Sequence, residues 1–78
     1  MGSAERFSKP IVLKDGREID TLVGAFDIIA GLPEASRSHA DWQFAFDLLL
    51  GMSIHADLDV VNLARAQLAW ALKVEGLV

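Results

Sequence analysis

Apolar residues change their spacing along this chain, and each change marks an element. From Phe7 to Leu13 the pattern alternates and is rich in β-branched residues, a period of two that predicts a strand. Asp15-Gly16 is a strong turn signal, and Arg17 to Thr21 can return as a second strand. The register follows from the burial it produces. A two-residue turn would oppose Ile11 to Asp20, whereas a three-residue loop with Gly16 in the left-handed conformation opposes Ile11 to Ile19. The second arrangement puts Ile11, Leu13 and Ile19 on one face and is the predicted one. Pro10 has no amide hydrogen, so its ladder position should point away from the partner strand.

After Thr21 the period becomes helical. Thr21 is a plausible N-cap for a first helix over Leu22 to Ala30, with Gly31 at its end and Pro33 blocking continuation. Leu22, Ala25, Phe26 and Ile29 form its stripe, and Val23, Ile28 and Ala30 widen it until burial on most sides is expected. Glu34 to Arg37 reads as a linker. Ser38-His39-Ala40-Asp41 then reads as a variant capping box opening a second helix, which Gly51 should stop after Leu50. Trp42, Ala45, Phe46 and Leu49 make one face of that helix; Phe44 and Leu48 supply another. A third helix starts near Asp57 or Asp59 and runs to Glu75, with Gly76 as its stop. Val61, Ala64, Leu68, Ala71 and Leu72 form its main stripe, with Val60, Leu63, Trp70 and Val74 beside it, and Arg65, Gln67 and Lys73 on its solvent side.

The expected fold is therefore α+β, an N-terminal two-stranded β-hairpin packed against three α-helices (ββααα). Residues 7–78 form one domain behind a flexible lead at 1–6. A 78-residue chain has little interior, and natural domains of this size often add a disulfide, a metal or a partner subunit. There is no cysteine. Yet 53% of the residues are apolar before glycine is counted, above the roughly 45–50% usual with glycine included. The surplus lies on the second and third helices, and the hairpin leaves two strand edges open, so the chain is expected to form a homodimer. No apolar run is long enough for a membrane span, and residues 1–6 lack the apolar stretch of a secretory signal, which points to the cytoplasm.

Charge argues against nucleic acid. Of the net −4, residues 19–78 carry Arg37, Arg65 and Lys73 against eight acids, so the helical body lacks a basic face. Residues 47–63 could be read as a helix-turn-helix, but the supposed recognition helix would open with Asp57, Leu58 and Asp59. Catalytic signatures are missing too, because no serine sits in a nucleophile elbow and the glycines are scattered singly. Ser36 and Ser38 read as caps. His55, Asp57 and Asp59 would share one side of an extended segment, but the two acids are better explained as the cap and first turn of the third helix. His39, in a first helical turn, has no evident carboxylate partner. Neither cofactor nor metal is expected.

Phe7-x-x-Pro10-Ile11-x-Leu13, the Gly16 turn, Thr21-Leu22-x-x-Ala25, Leu32-Pro33, Ala45, Ala64-Arg65, Ala71 and Glu75-Gly76-Leu77 together carry a resemblance. Over residues 7–78 the chain resembles the short alphaproteobacterial, largely rhizobial, domain of unknown function family 982. Members of that family commonly have tryptophan where Leu32 stands. The resemblance implies a bacterial, cytoplasmic setting and brings no catalytic residues.

The expected function is a small non-enzymatic interaction module, with a small-ligand regulator as the alternative. In the alternative an apolar pocket lies between hairpin and helices near Trp42 and Trp70. Arg65 is the third candidate. It either lies exposed over apolar surface beside a nearby acid, or docks on Asp20, Asp27 or Glu34 and fixes the packing of the third helix.

Overall fold

The computed structural model describes residues 6–55 and 57–78 of the chain. It is a mixed α+β fold with β1 (Arg6–Val12), β2 (Glu18–Thr21), α1 (Leu22–Ala30), α2 (Glu34–Arg37), α3 (Ala40–Ile54) and α4 (Leu58–Glu75). Four helices replace the three expected, because Glu34–Arg37 is not a linker but one turn of helix entered through Pro33. Most of the predicted lead lies outside the described residues. Arg6, its last position, is already in β1 opposite Thr21.

The described sheet has two antiparallel strands, with Ile11 opposite Ile19 and Val12 opposite Glu18. Gly16 has φ 93°, the Leu13 amide donates to the Arg17 carbonyl at 2.8 Å, and the Gly16 amide donates to the Leu13 carbonyl at 3.0 Å. Glycine takes that φ without the Cβ clash that other residues meet, and the resulting loop buries Ile11, Leu13 and Ile19 together. Between Arg6 and Ile11 the pairing register shifts. Pro10 lies inside that interruption, where a residue without an amide hydrogen costs the ladder nothing.

Thr21 caps α1, its hydroxyl accepting the Gly24 amide at 3.1 Å. Burial of α1 is narrower than its composition suggested: Leu22, Ala25 and Ile29 are buried, while Val23 and Ala30 are exposed. The cap of α3 is His39 rather than Ser38. The His39 Nδ1 accepts the Asp41 amide at 3.3 Å, while the Ser38 hydroxyl donates backwards to the carbonyls of Glu34 and Ala35 at the end of α2. Gly51 does not stop α3, which continues to Ile54 and so buries Met52. Asp57 caps α4 by accepting the Val60 amide at 3.0 Å. At the other end Gly76, with φ 84°, turns the chain so that the Leu77 amide reaches the Leu72 carbonyl at 2.9 Å.

The helices α3 and α4 form an antiparallel pair that is the most extensive contact in the molecule, and α1 packs against α3. The hairpin closes the ring, β1 lying on α4 and β2 on α1. All five residues of the main α4 stripe are buried, in one core with Trp42, Ala45, Leu49 and Met52 from α3 and with Phe7, Ile11, Leu13 and Ile19 from the hairpin. No polar or charged residue is buried among those described.

Candidate interaction surface

The three candidate residues fall in three different environments. Trp42 is 2% exposed and belongs to the core. Its indole N–H donates to Glu75 Oε1 at 3.2 Å, and the other oxygen of the same carboxylate accepts from the Ser36 hydroxyl at 2.7 Å. Ser36 is thus a tie between α2 and the end of α4 rather than a cap, and Glu75 satisfies the one polar atom that burial of Trp42 would otherwise strand.

Arg65 is half-buried and meets none of the three acids considered for it. Its Nε donates to the Lys9 carbonyl at 2.8 Å and its Nη2 to the Pro10 carbonyl at 3.3 Å. These carbonyls lie in the stretch where the β1–β2 register shifts. The guanidinium occupies two acceptors there and clamps β1 to α4 by charge-assisted hydrogen bonds rather than by an ion pair. Gln67, expected in solvent, is half-buried and donates to the Asp41 carbonyl at 3.1 Å.

Trp70 is 53% exposed. It stands on the outward side of α4 with Leu63 and Val74, at 59% and 51% exposure, and with half-buried Val60. The Asp41–Gln67 contact lies on this flank of the α3–α4 pair. Helical geometry places Phe44, 56% exposed, and half-buried Leu48 on the same flank of α3 as Asp41. Gly51 follows on that flank, and nothing stands within 4 Å of where its Cβ would be. Phe44, Leu48, Val60, Leu63, Trp70 and Val74 therefore share one apolar face that the described residues leave largely uncovered.

The groove beside Trp42 does not bring the two tryptophans together. What α1, α2 and α3 enclose is a shallow groove of about 690 Å³ that Trp42 lines and Trp70 does not. Phe26 and Phe46 form its floor, their rings edge to face with centroids 5.6 Å apart, and Leu50 and Ile29 complete it. Arg37 and Asp47 stand at its rim. The hairpin takes no part.

Among the described residues no three His, Asp or Glu side chains gather as a metal site would require. His55 closes α3 and Asp57 opens α4, while Ala56 between them lies outside the described residues. His39 does have a carboxylate neighbour, Asp41 Oδ2 at 3.5 Å from its Nδ1. No described helix is long and apolar enough to cross a membrane. The chain matches no protein-family model, no curated protein and no solved structure.

Proposed function

We propose that this protein is a small non-enzymatic interaction module of the cytoplasm that self-associates, two copies meeting through the outer face of α3 and α4. One observation carries the reading. Phe44, Leu63, Trp70 and Val74 each keep more than half of their surface exposed although sixteen apolar residues among those described are already buried in the core behind them. A contiguous exposed apolar face of this kind costs solubility unless it is covered, and covering it with a second copy turns the surplus into an interface. The outer side of a helix suits that, since helices pack on one another through their exposed apolar stripes. Size-exclusion chromatography with light scattering at about 100 µM, a concentration that populates dimers of micromolar affinity, should return twice the chain mass. A strictly monomeric mass there removes the proposal.

The groove beside Trp42 favours a second reading, a regulator holding a small apolar ligand on the Phe26–Phe46 floor. Its apolar lining with a few polar groups at the rim suits such a site. A thermal-shift screen separates the two readings, because a ligand at about 100 times its dissociation constant stabilises the fold by about 2.7 kcal/mol. No shift across a broad library leaves the interaction module alone.

A further inference from the structure

We infer that the two copies meet α4 to α4, antiparallel about a two-fold axis at Ala66, with Leu63 against Trp70 of the partner subunit and Asp59 against Lys73 of the partner subunit. This rests on the proposed self-association and specifies its geometry. Asp59, Leu63, Ala66, Trp70 and Lys73 are spaced four, three, four and three residues apart, and all five are exposed. On a helix that spacing is a single straight seam, about 21 Å long at 1.5 Å per residue, and it lies diametrically opposite the buried stripe.

The seam is self-complementary in only one direction. Its acid is at one end, its cation at the other, and its smallest side chain at the midpoint. Laid antiparallel on itself about Ala66, each Asp59 carboxylate faces a Lys73 ammonium, and each Leu63 faces an indole. Laid parallel, the same seam sets carboxylate on carboxylate and ammonium on ammonium, which opposes association. Two alanines at the crossing let the helix axes approach to about 8 Å, at the close end of the range that packed helices adopt. Neither Asp59 nor Lys73 has a side-chain partner among the described residues of its own chain, so each is free to pair across the axis. Val74 and, from α3, Phe44 flank the seam and widen the apolar area it would cover.

The test is an exchange of charges followed by sedimentation equilibrium, with circular dichroism recorded on each variant. Asp59→Lys and Lys73→Glu each place like charges at both ends of the dimer and should weaken dimerisation roughly tenfold or more, while the double exchange restores it. The decisive sample is the equal mixture of the two single variants. There the lysine introduced at position 59 of one chain meets the glutamate introduced at position 73 of the other, and at the opposite end the original Lys73 meets the original Asp59. Heterodimers should therefore form at the affinity of the unsubstituted chain. An unsubstituted chain that stays monomeric removes both this geometry and the self-association beneath it. A chain that dimerises but is indifferent to the single exchanges overturns the α4 seam and leaves self-association standing. Weakened single variants that the mixture and the double exchange fail to rescue also overturn it.

Discussion

Two stripes of α4 have nearly the same chemistry and opposite fates. Val61, Ala64, Leu68, Ala71 and Leu72 are buried to 7% exposure or less, whereas Leu63, Ala66, Trp70 and Val74 on the other side lie open. Hydropathy does not separate them; neighbours do. The inner stripe is met by α3 and the hairpin, and among the described residues no element is laid over the outer stripe. In a chain of 78 residues the interior is filled before the apolar residues run out, and the remainder stays on the surface, where we propose that it serves association.

Paired truncations should break or establish that contrast. Leu68→Ala removes a side chain with no exposed surface from the contact between α3 and α4 and should cost about 2–5 kcal/mol by denaturant unfolding. Leu63→Ala, measured in dilute protein where association is absent, should cost less than about 1 kcal/mol. Equal losses at the two positions would mean that the outer stripe is packed after all.

Arg65 lies between the stripes and calls for a smaller number. Arg65→Met keeps much of the apolar stem and deletes the donors to Lys9 and Pro10, whose carbonyls can turn to water at this partly exposed place. We expect a loss of about 1–2 kcal/mol, within the range for charge-assisted hydrogen bonds. A loss above about 3 kcal/mol is the size expected from breaking a buried ion pair and would contradict the observed geometry. An unchanged stability would show that β1 holds its place on α4 without the clamp.

Local chemistry explains which of these features could be read from the residues alone. Gly16, Thr21, Asp57 and Gly76 each act on backbone groups within a few positions, so the hairpin register and three helix ends follow from sequence neighbours. The buried stripe of α4 was legible for the same reason, as a strict 3.6-residue period. What sequence neighbours leave open are contacts that span the chain and choices between local alternatives. Gly51 permits a helix to stop but does not require it, and the burial of Met52 carries α3 onward. At the start of α3 both Ser38 and His39 could cap, and α2, only one turn long, has no periodicity to announce it. Arg65 finds its partners 55 and 56 residues away, in a stretch of β1 where the pairing shifts beside Pro10. Trp42 and Trp70 look alike as residue types, and only the tertiary packing makes one a core residue and the other a surface one.

The hairpin tip offers the smallest effect and a control outside α4. Asp15 has a carboxyl pKa held below the usual carboxylate value, first by the Arg17 amide it accepts at 3.0 Å, against an opposing push from desolvation, and then by the Arg17 guanidinium at 2.6 Å. A depressed folded-state pKa contributes stability that is present above the unfolded value, about 3.9, and is lost as pH falls through the folded value. Proton titration by NMR should place the Asp15 midpoint below that unfolded value, and Asp15→Asn should remove this part of the acid dependence without altering association. An Asp15 midpoint at or above the ordinary carboxylate value would contradict the tip geometry.

The outer stripe of α4 is tested most directly by the mass of the unsubstituted chain and of Trp70→Glu, measured side by side by light scattering at about 100 µM. Trp70 contributes little to the folded monomer because it is already 53% exposed, so the variant should keep its helical circular dichroism. The unsubstituted chain should have twice the chain mass and Trp70→Glu the mass of one chain, since a carboxylate there would be buried without a partner. Two equal masses, whether both monomeric or both dimeric, would contradict the assignment of this face as the interface.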